Sequence, residues 1–483
     1  MKVLLVYPWY SLATVTTFEE PVGVLYLAAV LERAGHEVVV EDMTFRSDVT
    51  CLDERIKWAE CVGISASSLL FNSALAVLRR VRELSPALPV VLGGPHATAE
   101  PGHALAEGFD VAVIGEGETT IVDLIQAFEG DRALAGVDGI VYRTGDGIFR
   151  TPPRAFIADL DAIPFPERRF IDYSRYRRIG MISMRGCPYQ CIYCKPIEDV
   201  LFGRRLRRRS VENVISELEE VFQRYGNRPI SFKDDTLTIN RTEWFEHLGD
   251  HFRRKGIRLT WQCSSRVDTV DAPKLAAMKK AGCRQIFFGI ESGSQRILDY
   301  YQKGVTVAQT VQAFALCREA GIRACASIML GAPDETPEEL EATFQLVKKI
   351  RPFNWHVHVT TPICGSHLYQ WAREQNRLAG ELQGPKPSPE AFAPTGNLYR
   401  HSLPMKLDHL SMEEIANCRD RINRYMKYRV LLKCLCSAEM WRELCSSRGM
   451  RELAANYLRR HFGGGARARQ PSGVGCGASG ANL

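Results

Sequence analysis

The stretch Arg185-Gly186-Cys187-Pro188-Tyr189-Gln190-Cys191-Ile192-Tyr193-Cys194 places three cysteines within eight residues. It directly follows the apolar run Ile179 to Met184, which predicts a buried strand. The three thiols are therefore expected on a loop at the carboxyl end of that strand. In an α/β barrel, this is the edge where ligands gather.

Three thiolates this close in sequence can hold one face of an iron–sulfur cluster. A [4Fe–4S] cluster needs four ligands, so three cysteines leave one iron open to a small molecule. A zinc knuckle is the alternative, but zinc needs a fourth Cys or His at comparable spacing. The next candidates, His247, His251 and Cys263, lie more than fifty residues downstream. The spacing therefore favours a cluster over zinc or structural thiols.

The length and composition are those of a soluble globular protein. The 483 residues predict two or three domains, and the net charge of +6 does not by itself indicate nucleic acid. No run of eighteen apolar residues occurs, so no transmembrane helix is expected. Met1 to Tyr7 is too short an apolar run for a signal peptide. Fifteen cysteines in such a chain indicate a reducing, cytoplasmic environment.

The first 145 or so residues alternate short apolar strands with amphipathic helices, which predicts a Rossmann-like, doubly wound parallel sheet. Such sheets bind ligands at the carboxyl ends of their strands. The predicted helices include Val22 to Ala34 and Asn72 to Leu84. The predicted strands are Val3 to Tyr7, Glu37 to Glu41, Cys61 to Ser65, Val90 to Leu92 and Val111 to Ile114.

Small and polar residues follow three successive strands of this sheet. Each segment alone is ordinary turn chemistry. Three of them at strand ends indicate a binding crevice, because glycine lets a large flat ligand approach the backbone. The candidate binding residues are Ser65, Ser67, Gly93, Gly94, Gly115, Glu116 and Gly117.

A second strand–helix alternation begins near Arg177 and predicts an open, partial (β/α)6 barrel of the TIM type. A hairpin from Val137 to Thr151 and a proline-set connector from Leu160 to Pro166 precede it. The later strands end at two carboxylates, Asp234 and Asp235, and at four further polar or glycine positions. These are Ser265, Arg266, Glu291 and Gly331.

The predicted organisation follows from these shifts in pattern. We expect a Rossmann-like domain at 1–145, a linker at 146–176, the barrel at 177–375, a mainly helical region at 376–462 and a disordered tail at 463–483.

The basic run Arg204 to Arg209 is interpreted as a solvated flank of the helix that begins near Ser210, although contact with anionic ligands is the alternative. His356 and His358 share one face of the sixth strand, where they either line the cavity or are ordinary barrel residues. Cys434, Cys436 and Cys445 are interpreted as unremarkable thiols.

Cys-x3-Cys-x2-Cys with Tyr193 before the last cysteine resembles the signature of the radical SAM superfamily. The resemblance implies that Cys187, Cys191 and Cys194 hold a [4Fe–4S] cluster whose open iron chelates S-adenosylmethionine (SAM). The resemblance further implies that an electron from the cluster cleaves SAM to a 5′-deoxyadenosyl radical. It also implies that Asp234 and Asp235 contact the SAM amino group or the reaction site. Tyr193 and the four polar or glycine positions are implied as SAM-side residues, with Ser265 and Arg266 on the carboxylate, Glu291 near the ribose and methionine, and Gly331 near adenine.

The N-terminal unit joined to such a barrel resembles the cobalamin-dependent radical SAM proteins. The chain has no Asp-x-His-x-x-Gly motif, whose histidine binds cobalt in many cobalamin proteins, so cobalamin is expected to bind without a protein histidine. His96 and His103 are interpreted as structural residues.

The resemblance implies a C-methyltransferase that uses two SAM molecules, one as a methyl source for cobalamin and one for radical formation. The alternatives are a tetrapyrrole-cyclase-like cyclase or rearrangement enzyme and, in another class, a cobalamin- or SAM-sensing binding protein. The implied partners are a small-molecule substrate (a secondary metabolite, a lipid or a tetrapyrrole) and an electron donor such as flavodoxin or ferredoxin. No nucleic-acid partner is expected.

Overall fold

The computed structural model describes residues 1–10, 20–379 and 404–436, with side chains described as far as residue 430. Residues 1–421 form one compact unit, and a second unit begins at Ile422. Cys445, the rest of the predicted helical region and the predicted tail lie outside the described residues, as do the side chains of Cys434 and Cys436. None of the helices in the described ranges is long and apolar enough to span a membrane.

The N-terminal sheet has the strand order β2-β1-β3-β4-β5-β6-β7. The strands are β1 (Lys2–Tyr7), β2 (Glu37–Asp42), β3 (Cys61–Ser65), β4 (Val90–Gly93), β5 (Val111–Val113), β6 (Ile140–Thr144) and β7 (Gly147–Arg150). The first five are parallel in the order 2-1-3-4-5, so the predicted doubly wound sheet is confirmed. The hairpin β6–β7 forms as predicted, but β6 pairs antiparallel with β5, so the hairpin extends this sheet.

The helices that cover this sheet carry their apolar residues at helical spacing. In the third helix, Phe71, Ala74, Val77, Leu78 and Val81 are all buried against the strands, which is the stripe an amphipathic helix presents to a core. The helices of this region are α1 (Val22–Arg33), α2 (Asp53–Trp58), α3 (Phe71–Leu84), α4 (Pro95–Ala99), α5 (Pro101–Ala106) and α6 (Glu118–Glu129).

The second sheet has six parallel strands in the order β15-β14-β13-β12-β11-β8, each beside the next in sequence. They are β8 (Ile179–Met181), β11 (Ile230–Phe232), β12 (Trp261–Ser265), β13 (Cys283–Glu291), β14 (Arg323–Leu330) and β15 (Trp355–Val359). Since β8 and β15 are the two ends of the sheet and do not pair with each other, the predicted open six-stranded barrel is confirmed.

Helices connect the barrel strands and follow the last one. They are α7 (Ile197–Phe202), α8 (Val211–Tyr225), α9 (Thr242–Arg254), α10 (Ala272–Lys280), α11 (Gln295–Tyr300), α12 (Val307–Glu319), α13 (Pro337–Ile350), α14 (His367–Glu374) and α15 (Met412–Cys436). The predicted start of α8 is confirmed, because the Ser210 side chain accepts a hydrogen bond from the Asn213 amide in the first turn.

The run from Ile179 to Met184 is not one strand, so that prediction is wrong in its second half. Strand β8 ends at Met181, and Met184–Arg185 forms a separate strand, β9, paired antiparallel with β10 (Arg207–Arg208). The physical reason is Asp234, whose carboxylate accepts hydrogen bonds from the amides of Ser183 (2.7 Å) and Met184 (2.9 Å). Those amides leave the barrel ladder, and the chain turns towards the cysteine loop.

Candidate active site

A cavity of about 310 Å³ lies where the carboxyl ends of the two sheets face each other. The N-terminal sheet contributes the strand-end residues expected to form a crevice, and the barrel contributes the end of the strand that precedes the cysteine loop. The structure thus brings two distant sets of predicted residues to one space. Those of the predicted set that line it are Ser65, Gly93, Gly94, Gly115, Glu116, Gly117, Asp234 and Asp235.

Glycines give the N-terminal side of the cavity a bare backbone surface. A Cβ atom on Gly93 would have no heavy atom of the described residues within 4 Å, so these residues leave space above it. Gly94 has a φ of +90°, and a Cβ there would lie 3.0 Å from the Ala66 carbonyl oxygen. Gly115 has a φ of +75°, and its Cβ would lie 3.1 Å from the Val200 carbonyl oxygen. Ser67 does not line the cavity; its carbonyl accepts the Leu70 amide in a short turn.

Histidine is absent from the described residues that line the cavity. His96 is buried beneath this edge, its Nδ1 lies 3.1 Å from the Ser68 hydroxyl, and its ring stacks on Phe71 with centroids 3.8 Å apart. The His103 ring packs on the same phenylalanine at 4.9 Å. Burial, followed by the neighbouring His103, lowers the pKa of His96 to about 3, so this imidazole is neutral. Both histidines are therefore part of the packing of the N-terminal domain.

Buried ion pairs join the two sheets at the cavity. Arg185 donates to Glu116 Oε1 (2.8 Å) and also to Glu118, while Arg207 donates to Glu116 Oε2 (2.8 Å). The Ile157 amide donates to the same carboxylate oxygen at 2.9 Å. Burial alone would raise the pKa of Glu116, but the bonds from Arg207 and Arg185 outweigh it and lower that pKa. We call these four side chains, Glu116, Glu118, Arg185 and Arg207, the interdomain clasp.

The basic run after the cysteine loop is therefore not a uniformly solvated flank. Arg207 turns inward to the clasp, and Arg209 is buried against Glu217 and donates to Asn213 Oδ1 at 2.6 Å. Arg204, by contrast, is exposed and pairs with Asp199 at 2.8 Å. The prediction of solvated side chains is wrong for Arg207 and Arg209, because buried carboxylates from other elements satisfy their charges.

The cysteine loop begins with a glycine that no other residue could replace without a shift of the backbone. Gly186 has a φ of +91°, and a Cβ there would lie 2.6 Å from the Arg205 carbonyl oxygen. The Cys191 carbonyl accepts the amides of Cys194 and Lys195, both at 3.0 Å, so the last two cysteines share one turn. Lys195 closes the loop by donating its Nζ to the Cys187 carbonyl at 3.0 Å.

The three loop cysteines are free thiols. Burial raises the pKa of Cys187 and of Cys194, so each must lose a proton when it binds a metal. In the part of the chain that the structure describes, no three His, Cys, Asp or Glu side chains converge on a point that could hold one metal ion. The ligands of a four-iron cluster each bind a different iron atom and need not converge on one point, so three thiols on one loop fit that group.

A buried triad fixes the aromatic residue of the cysteine loop. Lys303 donates its Nζ to Glu291 Oε1 (2.9 Å) and to the Tyr193 hydroxyl (3.1 Å), and that hydroxyl lies 3.2 Å from the same carboxylate oxygen. Glu291 has a φ of +55°, where the pairing of β13 with β14 is irregular. Sequence reasoning found Tyr193 and Glu291 but missed Lys303, because nothing in its neighbourhood indicates a buried partner.

The adjacent carboxylates have different surroundings. Asp234 is buried and engaged by Ser183 and Met184, and burial raises its pKa to about 6. Asp235 faces the cavity beside Glu198, which the sequence analysis missed. Burial and then Asp235 raise the pKa of Glu198 to about 8, and burial raises that of Asp235. Each of these two carboxyl groups therefore keeps its proton to a higher pH than an ordinary carboxyl group does.

Among the predicted barrel residues, Asp234 and Asp235 line the cavity, whereas the other predicted positions do not: Cys187, Cys191, Cys194, Tyr193, Ser265, Arg266, Glu291 and Gly331. The Ser265 hydroxyl is buried among the hydroxyls of Thr238 and Thr269. Gly331 has a φ of +82°, and a Cβ there would lie 2.8 Å from Ile415 Cδ1 on α15. The structure thus places both in packing positions beside the site, and their roles towards SAM stay predictions.

Comparison with known proteins identifies the class. A family model for the radical SAM superfamily matches residues 181–347, and one for the B12 binding domain matches residues 9–125. The "Uncharacterized methyltransferase PH0819" of Pyrococcus horikoshii is 33% identical over 453 residues, which are 90% of this chain and 94% of that one. The chain belongs to the cobalamin-dependent radical SAM enzymes, whose cofactors are a [4Fe–4S] cluster, SAM and cobalamin.

Two further proteins are similar over most of the chain. The anaerobic magnesium-protoporphyrin IX monomethyl ester cyclase of Cereibacter sphaeroides is 30% identical over 399 residues, which are 78% of this chain and 64% of that one. The structure of the radical S-adenosylmethionine methyltransferase TsrM from Kitasatospora setae, with cobalamin and a [4Fe–4S] cluster bound, is 22% identical. It shares the fold with a TM-score of 0.68, over 79% of this chain and 76% of that chain.

Proposed function

We propose that this enzyme is a C-methyltransferase that transfers a methyl group to an unactivated carbon of a small molecule. The observation that carries the proposal is a cavity that is lined both by the glycine edge of the N-terminal sheet and by the carboxyl edge of the barrel. A reaction that needs both a methyl donor and a radical at one carbon requires two cofactors to open on one space. The relative named a methyltransferase, which is similar over 90% of this chain, supports the same reaction.

When bound, the cofactors supply the methyl group and the 5′-deoxyadenosyl radical, and the protein must hold and orient them. We assign Cys187, Cys191 and Cys194 as the cluster ligands. Lys195 holds the first of these in place through its carbonyl, and the turn at Cys191 holds the other two. This arrangement leaves one iron without a protein ligand.

The glycine edge fits the approach of a large planar cofactor. Gly93 and Gly94 expose backbone to the cavity, and Ser65 adds a hydroxyl at the end of the neighbouring strand. A corrin with its nucleotide tail is larger than the 310 Å³ cavity, so this edge would enclose part of it. With no histidine among the described lining residues, we propose that cobalamin binds here without a protein imidazole on cobalt.

Several residues proposed to contact SAM are held in place by hydrogen bonds to other side chains. We propose that Glu291 and Tyr193, held by Lys303, orient SAM beside the cysteine loop, and that Asp235 faces its reacting end. Asp234 acts through the backbone it holds, because all its described bonds run to Ser183 and Met184.

The substrate would occupy the interior of the open barrel. His356 and His358 pair in register with Ser327 and Met329 of β14, so these four side chains share the face that looks inward, and the His356 ring lies 5.7 Å from that of Phe287. This placement supports the first alternative for the two histidines, that they line the barrel. We propose that the substrate is a secondary metabolite, lipid or tetrapyrrole, and that flavodoxin or ferredoxin supplies electrons in the cytoplasm.

The experiment follows the fate of SAM. Protein reconstituted anaerobically with cluster and cobalamin is supplied with a reductant, methyl-labelled SAM and a small-molecule cell extract as the substrate source. We expect S-adenosylhomocysteine and 5′-deoxyadenosine to be released in equal amounts, with label in an extract compound. Omission of the reductant is the control and should abolish both label transfer and deoxyadenosine release.

The second candidate function is a tetrapyrrole-cyclase-like reaction, which is supported by the similarity of the Cereibacter sphaeroides cyclase over 78% of this chain. A cyclase transfers no methyl group, so it would release 5′-deoxyadenosine without stoichiometric S-adenosylhomocysteine. Magnesium-protoporphyrin IX monomethyl ester is the direct probe. Its conversion, with no label reaching any product, would replace the methyltransferase proposal.

A further inference from the structure

Arg266 follows strand β12 and is buried, with 6% of its surface exposed. The family resemblance gives its guanidinium to the SAM carboxylate. In the structure, however, this side chain is engaged on several sides at once by the protein itself, and one of its contacts is a cysteine of the loop.

The bonds of Arg266 use four of the five N–H groups of its guanidinium. Nε and Nη2 donate to the two carboxylate oxygens of Asp268, each at 3.0 Å. Nη2 also donates to the Lys303 carbonyl at 2.6 Å. Nη1 donates to Cys191 Sγ at 3.8 Å, and the guanidinium carbon lies 3.5 Å from the centre of the Tyr189 ring. One N–H of Nη1 has no partner among these.

A paired clamp on a ligand carboxylate needs two parallel N–H groups on one edge of the guanidinium. Asp268 occupies one such edge, and the Lys303 carbonyl takes the remaining proton of Nη2. The only N–H left cannot form a paired clamp. The same bonds orient the guanidinium so that Nη1 points at Cys191 Sγ. The Tyr189 ring stacks on one face of the guanidinium plane.

We propose that Arg266 is a positioning residue for the cluster: it donates a charge-assisted hydrogen bond to the Cys191 thiolate and thereby raises the reduction potential of the cluster. The inference rests on the proposed ligation by Cys191. Hydrogen bonds to the sulfurs are a main lever on cluster potential, since they stabilise the more electron-rich, reduced state. Arg266 can act in this way because its bonds to Asp268 and to the Lys303 carbonyl hold the guanidinium in this orientation.

The experiment is a redox titration of the reconstituted full chain, without substrate, monitored by electron paramagnetic resonance. Arg266→Met removes the donor. Arg204→Met is the matched control, because it removes the same charge beside the same loop, where the described contacts of Arg204 are with Gln190 (3.2 Å) and Asp199 and not with a sulfur. We expect Arg266→Met to lower the ratio of reduced to oxidised cluster at least tenfold at a fixed potential, a shift of about 59 mV for one electron. Arg204→Met should shift it by much less.

Equal potentials in wild type and Arg266→Met, or equal shifts in the two variants, would overturn the inference. If the Arg266→Met variant binds no cluster, the inference is tested on the wild-type protein instead. With arginine labelled by ¹⁵N in its guanidinium group, electron–nuclear double resonance on the reduced cluster should show an arginine nitrogen coupling. The coupling should persist in Arg204→Met, and its absence from wild type would refute the bond. A wild-type chain that binds no cluster at all would instead refute the proposed function.

Discussion

The two sheet edges meet the cavity with different chemistry. At Gly93 the N-terminal sheet presents backbone with no described atom near it, whereas the barrel presents charged side chains that are already paired, some of them with Glu116 and Glu118 of the N-terminal sheet. Arg185 is held by Glu116 and Glu118, and Asp234 by Ser183 and Met184. At the glycine edge of the N-terminal sheet, a substitution is expected to act by filling space that a ligand would need. At the barrel edge, a substitution is expected to act by leaving a buried charged partner unpaired.

The largest effect is expected on the barrel side, at the cysteine loop. Replacing Cys187, Cys191 and Cys194 together by alanine removes every proposed protein ligand of the cluster. We expect the visible thiolate-to-iron absorption of reconstituted protein to vanish and 5′-deoxyadenosine release to cease. Cys317→Ala, which changes a buried thiol on α12, should leave both unchanged. A triple variant with wild-type iron content would contradict the ligand assignment.

The next effect tests the interdomain clasp. Glu116→Leu leaves Arg185 short of one partner and removes the described carboxylate partner of Arg207, and breaking a buried pair in this way costs about 3–5 kcal/mol of unfolding free energy. Chemical denaturation of the cofactor-free protein measures it. Glu54→Leu changes an exposed residue whose described ion pair is with Lys57, and it should cost less than about 1 kcal/mol. Equal losses would show that the clasp contributes nothing beyond a surface pair.

A pH-dependent effect is expected at Glu335, at the barrel edge after β14. Burial raises its pKa to about 7, and its Oε1 is buried with no hydrogen-bond partner among the residues that the structure describes. Between the ordinary carboxyl pKa and pH 7, the folded state holds a proton that the unfolded chain has released. Stability therefore falls as pH rises through this range, by up to about 3 kcal/mol.

Glu335→Gln removes this titration, so its unfolding free energy should vary less between pH 5 and pH 7 and exceed that of wild type at pH 8. Thermal unfolding across this range measures the difference. The exposed Glu338→Gln is the control and should keep the wild-type slope. If the unfolding free energy of Glu335→Gln changed with pH as steeply as that of wild type, another group would be responsible for the pH dependence.

The smallest effect is expected at the glycine edge. Gly93→Leu places a side chain in open space above the backbone, so the fold should survive while cobalamin affinity falls about tenfold to a hundredfold, or about 1–3 kcal/mol. Gly102→Leu, also without neighbours within 4 Å but outside the cavity lining, is the control. Isothermal titration with hydroxocobalamin compares them. Unchanged binding by Gly93→Leu would remove this edge from the cobalamin site.

The sequence predicted both sheets well because strand and helix periodicity are local properties. Val3–Val6 and the stripe of α3 reveal their buried faces without knowledge of the rest of the chain. The glycine edge was predictable for the same reason, since turn residues mark where strands end. The division of the run Ile179 to Met184 was not, because its cause is a carboxylate some fifty residues downstream.

Charge partners were the part that could not be predicted. Glu116 looked like a ligand residue, yet its partners Arg185 and Arg207 lie 69 and 91 residues away. Lys303 and Glu198 carry no local signal of burial. A charged residue at a strand end can face a ligand or another side chain, and only the tertiary arrangement distinguishes these cases.

The interdomain clasp also limits how this enzyme can be recombined with its relatives. A crossover placed in the connector Leu160 to Pro166 divides the sequence neatly, but it sends Glu116 and Glu118 to one parent and Arg185 and Arg207 to the other. Arg185 is two residues from Cys187, so a mismatched graft would disturb the first proposed cluster ligand as well as the pairing of the two sheets. The exchangeable module is therefore the B12-binding sheet together with the segment 185–207, which is discontinuous in sequence.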